Sequence, residues 1–168
     1  MYSYAAGVLV VAWHNNELYF LLGKDHYNTY SDFGGKCEDC DGGLYINTAC
    51  RELYEETCGC FLDRTIIRSM LAQCEFVQSL SYTSKPYFMY VMAVNYDENI
   101  KTRFDTCFKY VSSVSKMPRH TEKIALDWIN IANVTSGDVR LRNVFHKTLQ
   151  KHKASILKIA YKLKPTNS

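Results

Sequence analysis

Two apolar runs open the chain. "AAGVLVVAWH" (Ala5 to His14) is rich in β-branched residues, and "LYFLLG" (Leu18 to Gly23) follows after the polar "NNE", which predicts a hairpin. A polar, aromatic loop from Lys24 to Ser31 leads to Gly34-Gly35, read as a turn. From about Leu44 to Thr57 the period lengthens. Ile46, Ala49, Cys50 and Leu53 recur at three- and four-residue spacings, predicting a helix that stops near Gly59. "TIIRSMLAQCEFVQSL" suits helix or strand, and its second half is assigned to a strand. "PYFMYVMAVNY" (Pro86 to Tyr96) is nearly continuous and predicts a central strand buried on both faces. "IKTRFDTCFKYVSSV" is assigned to a helix and "KIALDWINI" (Lys123 to Ile131) to a strand. At the C-terminus Leu141, Phe145, Leu149, Ile156, Ile159 and Leu163 form one stripe among lysines. This predicts an amphipathic helix over about 138–164, ended by Pro165.

Strands flanked by helices in 168 residues, with no repeat or linker, indicate a single mixed α/β domain spanning 1–168. No run approaches the roughly 18 apolar residues of a membrane span, and the start lacks the basic opening of a secretion signal. The expectation is no membrane partner and a cytoplasmic location. Seven cysteines at spacings without a disulfide ladder agree with reduced thiols. The net charge of +3 is unevenly distributed. From Val139 onward there are eight Lys/Arg and no acidic residue, leaving twelve basic against seventeen acidic residues before it. Such a chain can hold cations in its body and attract polyanions at its end.

Glu52, Glu55 and Glu56 stand at i, i+3 and i+4, so a helix projects all three from one face. Arg51 lies on the adjacent side, and the cluster reads as uncompensated. Hard divalent cations require such oxygen ligands, yet the spacing is equally that of a solvated acidic face. Gly34 and Gly35 alter the balance, because they allow close backbone approach, and a main-chain carbonyl, Gly35's, to complete a metal shell.

"GGKCEDCD" followed by "ACRELYEET" resembles the signature of the Nudix hydrolase superfamily. Gly35 matches the opening glycine, Asp41 the acidic position, and Arg51, Glu52, Leu53, Glu55 and Glu56 the core. Two departures stand out: nine residues separate Asp41 from Arg51 where the family pattern has seven, and Cys58 occupies the closing-glycine position. "SDFGGK" and the Lys/Asn/Ile/Tyr-rich composition also resemble Nudix proteins of large DNA viruses, some of which remove caps.

The resemblance implies an α/β/α sandwich with a mixed central sheet. It also implies Mg2+- or Mn2+-dependent attack of water on a phosphoanhydride of a nucleoside-diphosphate-linked substrate. It makes Glu52 and Glu56 ligands, Glu55 a ligand or base, and Arg51 a structural partner of Asp41. Lys36 becomes a phosphate contact and Glu122 a candidate base from outside the signature, with Glu38 of similar standing. Related enzymes often form homodimers.

Cys37-x2-Cys40 and Cys58-x-Cys60 suggest a zinc site superficially. A helix of about 12 residues between them holds the pairs roughly 18 Å apart, too far for one ion. Cys50 and Cys74 read as small core residues. His26, Tyr27 and Tyr30 could bound a substrate pocket, whereas Trp128 reads as core. Lys151, Lys153 and Lys158 are candidates for RNA binding, as a track for a polyanion. The substrate classes left open are the 5′ cap of RNA, favoured for that track, and small compounds such as dinucleoside polyphosphates, ADP-ribose, NADH, nucleotide sugars or diphosphoinositol phosphates. A non-catalytic nucleotide- or RNA-binding module is the alternative of another class.

Overall fold

The computed structural model describes residues 3–114 and 122–165. The first hairpin joins β1 (Ala5–His14) to β2 (Glu17–Asp25) through Asn15 and Asn16, both left-handed at φ 50° and 64°. Positive φ at both central positions matches the right-handed twist of the strands, and asparagine tolerates it. β1 then pairs in parallel with β6 (Pro86–Ala93), whose outer edge carries β5 (Phe76–Leu80) antiparallel. β7 (Lys123–Asn130) lies antiparallel along the far side of β2. The sheet is therefore mixed.

Two short strands correct the sequence reading. The expected loop up to Ser31 ends in β3 (Tyr30–Ser31), paired with β2. Gly34 and Gly35 do not turn the chain: they belong to β4 (Phe33–Lys36), with Gly34 opposite Gly7 of β1. Their role is close approach. A Cβ on either Gly7 or Gly34 would collide with the Tyr87 hydroxyl, which lies over the pair.

Alternation along β1 sorts the core into two layers. Ala6, Val8 and Val10 face α1 (Tyr45–Glu56), α2 (Arg64–Leu71) and α3 (Ile100–Val114), burying Ala49, Leu53, Ile67 and Phe104. Leu9 and Val11 face the other side, where α4 (Ile131–Ser136) and α5 (Asn143–Lys162) contribute Val134, Phe145, Leu149, Ile156 and Ile159. The architecture is the expected α/β/α sandwich. Cys50 belongs to the first layer and Trp128 packs at its margin, its indole N–H donating to the Asp97 carbonyl.

α5 begins five residues later than the apolar stripe suggests. The Tyr30 N–H donates to the Arg140 carbonyl and the Arg142 N–H to the Tyr30 carbonyl, so Arg140 to Arg142 run extended beside β3. α4, unforeseen, is capped by the Asn130 side chain accepting from the Ala132 N–H. Among the described residues no helix is long and apolar enough to cross a membrane.

The Gly7–Gly34 contact leaves no space for side chains. A methyl at Gly7 would strike the Phe33 carbonyl and lie 2.7 Å from Gly34 Cα. Backbone cannot yield as a side chain can, so Gly7→Ala is expected to cost about 3 kcal/mol of stability, read from urea unfolding midpoints.

Candidate active site

The polar centre is built on Arg51, which is only 3 % exposed on α1. Its Nε and Nη2 donate to Asp41 Oδ1 and Oδ2, each at 3.0 Å, in a two-pronged pair. Nη2 also donates to the Lys36 carbonyl at 2.8 Å, tying β4 to the helix. Nη1 donates to Glu52 at 2.8 Å and Glu55 at 3.1 Å. Arg51 is thus fully used, and five donors in a fixed fork suit this arrangement better than a lysine ammonium.

Asp41 reaches this position by local chain geometry. It ends a single 3-10 turn (Asp39–Asp41), after which Gly42 and Gly43 are left-handed at φ 62° and 76°. Burial opposes ionisation of Asp41, but hydrogen bonds from Arg51, the Glu38 N–H and Thr48 outweigh it and hold its pKa below the ordinary carboxylate value. At the other end of α1, Cys58 takes the left-handed conformation itself, φ 53°, with Gly59 beside it at 65°. The missing glycine is replaced in conformation, at a cost only a non-glycine residue incurs.

The three helix glutamates do not form one uncompensated cluster, which corrects the sequence expectation. Glu52 and Glu55 share Arg51 Nη1, while Glu56 turns inward. Its Oε2 accepts the Gly34 N–H at 2.9 Å and its Oε1 lies 3.6 Å from the buried ammonium of Lys123. Asp32 stands nearby, accepting from the Tyr87 hydroxyl. Burial, then the neighbouring charges of Glu55 and Glu122, push Glu52 up to about 7 despite Arg51. Burial, with Glu52, Glu122 and Asp32, pushes Glu56 up to about 8, Lys123 acting the other way.

The remaining candidates separate in space. Glu122 is exposed immediately before β7, close enough for its charge to act on Glu52 and Glu56. Gly35 lies against Glu52: a Cβ there would run into the Glu52 carboxylate. The Lys36 side chain is exposed, as are His26 and Tyr27 at the β2–β3 connection. The Tyr30 hydroxyl donates to Asp127 at 2.7 Å. Lys151, Lys153 and Lys158 are exposed on α5, in the layer across the sheet from α1. Lys123, Tyr87 and Asp32 escape the sequence reading. The available signals are glycines at Gly7, Gly23 and Gly34 inside strands, where missing side chains mark close approach.

Carboxylate oxygens beside the Gly35 main chain are the donor chemistry that Mg2+ or Mn2+ takes, so the residues fit such an ion. Among the described residues, however, no group of three or more His, Cys, Asp and Glu side chains is gathered as a formed metal site. The carboxylates are directed instead to Arg51, Gly34 and Lys123.

Solved structures resemble this arrangement of strands and helices. The Nudix domain of Shewanella oneidensis NrtR, complexed with ADP ribose, aligns over 94 % of this chain and 89 % of its own at TM-score 0.58 and 13 % identity. The chain has the Nudix fold. A C. elegans Ap4A hydrolase in a binary complex shares that fold over 95 % of this chain and 97 % of its own, at TM-score 0.56 and 13 % identity. A Francisella tularensis bifunctional NMN adenylyltransferase/ADP ribose pyrophosphatase, complexed with AMP and a Mn ion, does so over 93 % of this chain and 42 % of its own, at TM-score 0.59 and 13 % identity. No family model and no curated protein sequence matches the chain, so the likeness is one of Nudix fold.

The raised carboxylates set a pH dependence. Between the ordinary carboxylate pKa and about 8 the folded protein binds protons at Glu52 and Glu56 that the unfolded chain has lost. In EDTA, Tm should therefore fall as pH rises through that window, this contribution vanishing below about pH 4 where both states are protonated. Mn2+ favours the ionised carboxylates, so its effect on Tm should be small near pH 5.5 and grow to several degrees at pH 8, checked by differential scanning fluorimetry.

Proposed function

We propose that the chain is a Mg2+- or Mn2+-dependent pyrophosphohydrolase that cleaves a phosphoanhydride in a nucleoside-diphosphate-linked substrate. The observation that carries this reading is the Arg51 fork, which joins the Gly35 strand to the carboxylate helix and holds Glu52 and Glu55, with Glu56 turned inward beside them onto the Gly34 N–H. Fold neighbours described as binding ADP ribose, or as an Ap4A hydrolase, support the same class. When bound, the divalent ion would neutralise bridging phosphates and lower the pKa of a water.

The chain's own residues do the rest. Glu52 and Glu56, with the Gly35 main chain, are the ligand set; Glu52 Oε1 accepts from Arg51 Nη1, and its second oxygen is the one to offer a cation. Arg51 and Asp41 hold the helix and loop in register. Glu55 and the exposed Glu122 are the candidates to take a proton from the attacking water. Lys36, exposed on β4 beside the fork, can meet substrate phosphate.

Within this class the capped 5′ end of RNA is our finer reading. It is favoured by Arg140 and Arg142, which run beside Tyr30 with Arg142 near enough for its charge to act on Asp32. They lead into α5, where Lys147, Lys151 and Lys158 share the outer face and Lys153 stands on its flank. A substrate confined to the α1 side of the sheet would not reach those lysines.

Glu52→Gln and Glu56→Gln should each lower turnover by about 100-fold or more, with folding intact by circular dichroism. Wild-type rates in both would end the assignment of these glutamates as ligands, whereas no turnover of any phosphoanhydride substrate by the wild type would bring a binding module forward. The triple change Lys151→Glu, Lys153→Glu, Lys158→Glu should slow release of m7GDP from long capped RNA while sparing the free cap dinucleotide, ADP-ribose or a diphosphoinositol phosphate. Equal effects on long and short substrates would remove α5 from this reading.

A further inference from the structure

The ammonium of Lys123 lies inside the protein, 2 % exposed, at the first position of β7. A buried lysine needs a partner and a space to enter. Its partners are Ser31 Oγ at 2.6 Å, the Asp32 carbonyl at 3.3 Å and Glu56 Oε1 at 3.6 Å. Its space is made by Gly23, where a Cβ would lie 2.6 Å from Lys123 Cδ and 2.8 Å from Cγ.

Its direction comes from an irregularity in the ladder. Gly23 pairs with Leu126 and Lys24 with Ala125, but Asp25 pairs with Lys123, so Ile124 is skipped. Leu126 faces the α1 layer. Regular alternation would send Ile124 to that layer and Lys123 to the α5 side; the skipped residue reverses this and aims Lys123 toward Glu56.

We infer that Lys123 is a positioning residue for Glu56. Its ammonium and the Gly34 N–H hold the two carboxylate oxygens from different strands, β7 and β4, and prevent the group from rotating toward Glu52 and Glu55. The functional half of this inference rests on the hydrolase reading; the structural half does not.

Two variants test it. Lys123→Met keeps an apolar stem and removes the charge, while Gly23→Ala evicts the stem without altering any charged group. In the cation-free protein both should shift the Gly34 amide resonance in a 1H–15N spectrum. Lys123→Met should lower the unfolding midpoint in the wild-type background and much less in a Glu56→Gln background. With Mn2+ and capped RNA, or ADP-ribose where the wild type cleaves that instead, both should reduce kcat by about 10-fold or more with KM little changed, because misplacing a reacting group costs rate rather than binding. Lys123→Arg, which retains the charge, should recover part of the kcat.

An unmoved Gly34 resonance together with additive stability effects would overturn the positioning role. Should the wild type turn over no phosphoanhydride substrate with Mg2+ or Mn2+, the hydrolase reading falls alone, since the resonance and the stability cycle still decide whether Lys123 positions Glu56.

Discussion

A guanidinium removed from water must use its donors, and Arg51 uses them on every part of the site. It holds Asp41 with two prongs, the Lys36 carbonyl with a third contact, and Glu52 and Glu55 with the remaining nitrogen. β4, the 3-10 turn and α1 are therefore fixed relative to one another by a single side chain. Losing one partner would leave a buried charge uncompensated, which is why such a hub tolerates little change. Glu52 and Glu55 are ordered through this hub by the protein alone.

The central sheet gives the two charged helices separate surroundings. α1 carries carboxylates on one face of the sandwich, and α5 carries lysines on the other. Direct neutralisation between them is prevented, so the acidic character of one face and the basic character of the other both persist. Just before α5, Arg140 to Arg142 run extended beside Tyr30 of β3.

The features readable from sequence are those set by short-range periodicity. Glu52, Glu55 and Glu56 follow from helical spacing, the first hairpin from two apolar runs around Asn15-Asn16, and the sandwich from the resemblance carried by the motif. Gly34-Gly35 reads as a turn because glycine pairs usually bend chains. It is a strand because Gly7 and Tyr87, remote in sequence, need the space. Lys123 is invisible for a related reason. A lysine opening a strand reads as a solvated end, and only the skipped Ile124 and the absent side chain at Gly23 turn it inward. Arg51 reads as lying beside the glutamates, while its reach back over Glu52 and Glu55 depends on being buried against Asp41 and Lys36.

The pairing of β1 with β6 and of β2 with β7 has a bearing on how the molecule is assembled. The acidic motif is complete by Glu56, and its near neighbours, the first hairpin and β4, lie within the same stretch of chain. Glu56 acquires its ammonium only when β7 has joined the outer edge of β2, a contact between segments far apart in sequence. Such contacts close late, because loop-closure entropy must be met before they contribute. A growing chain therefore carries the whole acidic signature well before Glu56 has its ammonium partner, which comes with the last strand rather than with the motif.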